Sequence, residues 1–388
     1  MTRKNILIKG GRVLRPGGLD AIDIEVRPGP DGSRIALAPM AGDITLDATG
    51  LLVLPGLVDV HGDAFERQIM PRPGVSFALD TALLETDRQL AANGITTAFH
   101  GVTRSWEPGL RDAAHARGLL ERLELLQPHL ATDTRFHLRH ETFNLEGEGE
   151  IIDWLADRRV GVIAFNDHMT GTIKVRHRPD KMAKMVERSG LDAKAFDALV
   201  ERVAARASEV PASISRLAAA AKAAGVPAMS HDDMDIAQRR WFASLGVDVA
   251  EFPLTDEVAE AAAGDGVPIV FGAPNVVRGG SHTGCPDAAD MVRRGWCSVL
   301  ASDYYYPSLL QAPFILRQTW GVGLETAWAL VSRNAAGAVG LADRGSIEEG
   351  LRADLVLVEV AQERPAKAVA TITDGRLVHL ADGSRLGG

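Results

Sequence analysis

Cysteine is nearly absent: the 388-residue chain has two, Cys285 and Cys297. Two thiols cannot make a disulfide framework, so a reducing, cytoplasmic setting is expected. Long hydrophobic runs are missing too. None approaches the ~20 apolar residues that span a bilayer, and Met1-Thr2-Arg3-Lys4-Asn5 leads into a strand-like segment at 6–9 without a secretory apolar stretch. No membrane association is expected. Positive charge is in deficit: 42 Lys and Arg against 51 Asp and Glu leave a net charge of −9, which argues against broad nucleic-acid binding. An anionic substrate stays possible, because metal ions or a local arginine cluster reverse the field within one cleft. No solenoid-type repeat and no low-complexity tract interrupts the chain.

What is present is ordinary globular material, 46% apolar and 24% charged, enough for one large domain and one small one. Short strand-like segments at 6–9, 23–26 and 34–38 are divided by Gly10-Gly11, Gly17-Gly18 and the turn 28–32. The same texture returns at 353–360, 368–372 and 377–380. Both ends therefore predict one small β-sandwich, residues 1–54 plus 345–388. Between them, strand candidates fall at 57–61, 95–100, 135–141, 160–166, 226–231, 247–252, 267–272 and 297–303. Helical stretches at 81–93, 213–224, 235–245 and 255–264, the last capped by Thr255, separate several of these. This alternation over 55–344 predicts an α/β fold, a (β/α)8 TIM-like metallo-hydrolase barrel. The rival, a doubly wound sheet, is disfavoured because no Gly-x-Gly-x-x-Gly follows a first strand.

Barrel enzymes carry their chemistry at the C-terminal strand ends. Those ends here supply His61 and Asp63, then Glu141, Asp167 with His168, His231 with Asp232 and Asp233, and Asp303. Imidazoles mixed with carboxylates suit one or two divalent ions with a position left for water. His61, Asp63, Glu141, His231 and Asp303 are the metal-ligand candidates. His168 either joins them or positions substrate, and Asp232 and Asp233 are also candidates to cap the next helix. His137 is expected to pack away from the mouth, and His100 to end the second strand as a supporting residue.

Three loops add a basic theme. Arg72 sits in the stiff turn Pro71-Arg72-Pro73; Lys174, Arg176 and Arg178 follow the fourth strand; and the loop 273–284 combines glycine amides with Arg278, Ser281 and His282. Guanidinium forks and backbone N–H groups of this kind cradle phosphate oxygens, so the expected partner is a small phosphorylated substrate.

Leu54-Pro55-Gly56-Leu57-Val58-Asp59-Val60-His61 and the closing run 350–357 resemble the start and end signatures of the amidohydrolase superfamily. Within it the chain is similar to the PhnM family of phosphonate catabolism. The matching segments are His61-Gly62-Asp63, Pro71-Arg72-Pro73, His137-Leu138-Arg139-x-Glu141, Asp167-His168, Ser230-His231-Asp232-Asp233, Ala250-Glu251-Phe252-Pro253, the run 272–282 and Ser302-Asp303-Tyr304-Tyr305. The wider superfamily's His-x-His is His61-Gly62-Asp63 here, as in PhnM, and its sixth-strand histidine is missing; either His168 or Glu251 stands in for it. The resemblance implies hydrolysis of the α–β phosphoanhydride of alpha-D-ribose 1-methylphosphonate 5-triphosphate, with release of pyrophosphate. It implies one or two divalent ions (Zn, Mn or Mg), with Asp303 as general base. A homodimer is expected by analogy with such barrels. The alternatives are a cyclic amidase or deaminase on the same fold, which needs neither basic loop, and a barrel subunit without catalysis.

Overall fold

The computed structural model describes residues 4–40, 42–72, 74–281 and 284–387. The eight barrel strands are β1 (Leu57–Gly62), β2 (Ile95–Arg104), β3 (Asp133–Glu141), β4 (Val162–Asn166), β5 (Ala228–His231), β6 (Val249–Glu251), β7 (Ile269–Gly272) and β8 (Val299–Ala301). They form one sheet hydrogen-bonded in chain order, and a parallel bridge from Gly62 to Asp303 brings the end of β8 back to β1. Sequential order with closure is the (β/α)8 barrel, and it excludes the doubly wound alternative. The apolar strand composition follows from burial on both faces: every residue of β1 and of β4 is buried.

The chain divides into two compact units, Met1–Phe99 with Leu126–Thr134 and Val270–Gly388, and His100–Leu125 with Arg135–Ile269. The first unit contains two further sheets, each drawing strands from both termini. One orders Leu386–Gly387, Ile44–Asp47, Ile6–Lys9, Ile24–Gly29 and Gly32–Ala36; the other orders Arg376–Leu380, Lys367–Thr373, Leu355–Glu359, Leu52–Pro55, Arg12–Arg15 and Gly18–Asp20. Alternate residues such as Ile6, Ile8, Val53, Leu355 and Leu357 build a shared apolar core. That is the composite sandwich expected from the ends of the sequence.

In the second unit β3, β4, β5 and β6 pair in parallel, with Glu141 opposite Asn166 and His231 opposite Glu251. Two expectations change here. Strand β2 continues four residues past His100 to Arg104, so His100 is buried inside the strand and does not end it. The stretch 168–178 is largely helical: His168–Val175 forms a helix whose N-cap, Asp167, accepts from Thr170 N at 2.9 Å and from Thr170 Oγ1 at 2.6 Å. Asp-x-x-Thr is an N-cap arrangement, and it assigns Asp167 to the helix start.

Candidate metal centre

In the first unit the ends of β1 and β8 are laced together by main-chain bonds. Asp303 N donates to the His61 carbonyl and Asp63 N to the Asp303 carbonyl, both at 2.9 Å. Beneath them the buried Asp59 carboxylate accepts from Ser302 N at 2.9 Å and Ser302 Oγ at 2.5 Å. Burial pushes the Asp59 carboxyl above the usual range, and the Ser302 hydrogen bonds pull the other way. Gly62 lies inside this lacing: a Cβ there would meet Asp59 Oδ2 at 2.6 Å and Tyr306 Cε1 at 2.9 Å. Only glycine leaves room for this closure between His61 and Asp63. Asp303 itself has φ +54, a conformation that costs a non-glycine residue energy and clusters at functional sites. The outcome is one imidazole and two carboxylates, His61, Asp63 and Asp303, offering ligand atoms within 4.8 Å of one another. Donors about 2.0–2.2 Å from a common ion lie no farther apart than about 4.4 Å, so this set fits a divalent cation with small side-chain adjustment.

The second unit holds two carboxylate–imidazole pairs at strand ends. His168 Nδ1 lies 2.5 Å from Glu141 Oε1. Burial pushes Glu141 up, but the His168 hydrogen bond and charge outweigh it, so the carboxyl sits below its ordinary value; the same bond raises His168. His231 Nδ1 lies 2.6 Å from Glu251 Oε2, while its Nε2 lies 3.2 Å from Arg139 Nη2. A guanidinium only donates, so the second contact makes Nε2 the acceptor and Nδ1 the proton bearer. Glu251 therefore fixes the His231 tautomer with Nε2 as the lone-pair atom, the arrangement carboxylates impose on metal-ligating histidines.

Asp232 follows β5 with φ +60, and Phe252 follows β6 with φ +53. The cap of the next helix is Asp235, which accepts from Gln238 N at 2.8 Å, so neither Asp232 nor Asp233 has that role. Asp233 is buried, accepting from Ser230 Oγ at 2.5 Å beside the buried Arg239. On β3, His137 shares the pleat face of Arg139 and Glu141 but lies four residues earlier, about 13 Å along the strand, so it is distant from the mouth by depth and not by facing. His140 faces the other way, against the Phe165 ring, and burial pushes its imidazole down to about 4.

The basic loops are reshaped by pairing. Arg176 binds both Asp197 and Glu201, and Arg178 binds Asp180, so these two expected phosphate ligands are matched to carboxylates of their own unit. Lys174 lies in the last turn of its helix. The expected Gly-Ser loop starts as a helix, Ala273–Arg278, opened by Pro274 and closed by Gly279 at φ +78. Two of its three glycine amides close that cap: Gly279 N donates to Val276 O and Gly280 N to Asn275 O. Arg72 is exposed in a turn with Val75, Ser281 is partly exposed, and His282 lies outside the described residues. Arg278 Nη1 reaches Tyr304 Oη at 3.3 Å, and Arg67 lies 5.8 Å over the same ring. Two guanidinium groups thus meet at the residue following Asp303. Sequence reading missed Arg67, because its link to Arg278 runs through a ring 237 positions away (304 − 67).

The Amidohydro_3 profile of the amidohydrolase family matches residues 88–379. The chain is 33% identical over 330 residues to alpha-D-ribose 1-methylphosphonate 5-triphosphate diphosphatase of Escherichia coli (strain K12), covering 80% of this chain and 84% of that one. It is 26% identical over 361 residues to imidazolonepropionase of Acidiphilium cryptum (strain JF-5), covering 81% and 80%. Among solved structures, an amidohydrolase from an environmental sample of the Sargasso sea superposes with a TM-score of 0.63 at 16% identity, over 97% of this chain and 93% of that one. By its profile match and by the E. coli relative, the chain belongs to the amidohydrolase family of hydrolases.

Proposed function

We propose that the protein hydrolyses the α–β phosphoanhydride of a ribose 5-triphosphate carrying a methylphosphonate at C1, releasing pyrophosphate and leaving the 5-monophosphate. The observation that carries this reading is the match to the E. coli diphosphatase over four-fifths of both chains. The meeting of His61, Asp63 and Asp303 supports it with a carboxylate-rich donor set.

Enzymes of this superfamily use divalent metals. Here His61, Asp63 and Asp303 would hold a divalent ion; Glu141, His168 and His231 are the further candidate ligands for one or two ions, with Glu251 orienting His231 through Nδ1. Carboxylate richness leans toward Mn²⁺ or Mg²⁺ over Zn²⁺. Such an ion, when bound, offsets charge on phosphoryl oxygens and makes water more acidic. Asp303 accepts the proton of the attacking water, its backbone held by the lacing to β1. Arg278, with Arg67 across Tyr304, offsets charge on the departing pyrophosphate, aided by Arg72 and Ser281.

The imidazolonepropionase relative favours a second reading, cyclic amide hydrolysis. Phosphorus NMR separates the two. Pyrophosphate appearing from a ribose 5-triphosphate supports the phosphoanhydride reaction, whereas an inert triphosphate together with ring opening of a cyclic amide overturns it. Elemental analysis finding no stoichiometric divalent metal would point to a subunit without catalysis.

A further inference from the structure

The second unit contains a cavity of about 350 Å3 whose lining includes Glu141 and His168. That is the lower end of the ~300–1,000 Å3 range of small-molecule sites. Its far wall is apolar: Trp106, Val175 and Met185 belong to a cluster built on Met169, Met182, Phe196 and Val200. Apart from Glu141 and His168, already among the candidate metal ligands, its charged lining is one carboxylate and one cation, Glu107 and Arg111. Outside those two, a single cation set against a carboxylate gives a polyphosphate too little opposing charge. A pocket with one oily wall, one permanent cation and no net positive charge fits a monoanion bearing a small alkyl group.

We propose that this cavity is the specificity pocket for the end of the substrate remote from the triphosphate, a pentose with an alkylphosphonate at C1. The alkyl group packs on Trp106 and Met185, and the phosphonate oxygens pair with Arg111. The inference rests on the phosphoanhydride reading for the identity of the substrate, but its test does not depend on turnover.

The probe is ribose 1-methylphosphonate without the triphosphate, titrated by calorimetry. Binding to the unaltered protein should weaken by about tenfold or more in Trp106→Ala and in Arg111→Gln, and Trp106→Phe should restore most of it. Trp106 also packs on Phe196, with ring centroids 6.2 Å apart. The phenylalanine variant and the partly exposed Arg111 therefore keep the test valid if the alanine variant folds poorly. No binding of the probe, or binding indifferent to Trp106→Phe, Trp106→Ala and Arg111→Gln alike, overturns the pocket. Pyrophosphate release with an indifferent probe removes the pocket and leaves the reaction standing. A responsive probe without pyrophosphate release removes the reaction and leaves the pocket.

Discussion

Gly62 is the residue on which the donor set of the first unit turns. Its missing side chain lets Asp59, Ser302 and Tyr306 close under the His61–Asp63 crossing. Gly62→Ala should cost about 1–3 kcal/mol by overpacking, visible as a lower urea midpoint, and should weaken metal retention in equilibrium dialysis. Asp303→Asn keeps the same volume and main-chain bonds while removing the proton acceptor. Pyrophosphate release should fall roughly 10²- to 10⁴-fold, with the unfolding midpoint little changed; near-normal turnover would remove the general-base role. The two cysteines differ in burial. Burial pushes the Cys297 thiol up to about 12, whereas Cys285 is partly exposed. A thiol reagent at pH 8 should label one cysteine in the native protein and two after denaturation. For a thiol raised in the folded state, stability is fully present below its unfolded value near 9 and is lost as pH rises toward 12, by up to about 4 kcal/mol. Urea unfolding at pH 8 and pH 10, with Cys297→Ala as control, checks the slope.

Among elements, the helix after β4 and the helix after β5 share a construction: an aspartate in position to accept from the third residue onward, Asp167 from Thr170 N and Asp235 from Gln238 N. Alanine at either should cost about 1 kcal/mol, read from urea midpoints. Asp167→Ala additionally loosens the start of the helix carrying His168, so hydrogen exchange should rise at 168–171. The sequence announced Thr255 as a cap, and Val258 N donates to its hydroxyl at 3.3 Å. For the helix after β5 it offers Asp232 and Asp233 and starts the helix at 235, whereas the cap is Asp235, because that choice depends on where β5 stops hydrogen-bonding. Helix 273–278 is the opposite case. Its signals, Pro274 and Gly279, are local, but the same glycines also suit a phosphate-cradling backbone, and only the cap bonds distinguish the two.

At the scale of the molecule, each unit is tied by a buried arginine. Arg344 joins Asp133 at 2.6 Å and Thr97 at 2.9 Å in the first. Arg239 bonds Ser230 Oγ at 2.5 Å and the Val247 carbonyl in the second. Removing one partner of a buried pair leaves the other charge without compensation, at a cost of about 3–5 kcal/mol. Arg344→Met should therefore lower the denaturant midpoint far more than substitution of an exposed arginine such as Arg364, whose partner Glu359 lies in water. Among the described residues no helix is long and apolar enough to cross a membrane.

The order of strands, the β-rich ends and the residue types at the strand mouths were readable from the chain alone. Burial on both faces of a parallel strand writes itself as a local apolar run, and a metal site needs imidazole and carboxylate at its rim. Tertiary structure alone decided which polar groups meet. Glu251 turns to His231 across 20 positions, Arg139 reaches it across 92, and Ser302 returns to Asp59 across 243. No local pattern encodes such meetings, because they depend on closing the sheet and on which buried donor finds an acceptor once water has gone.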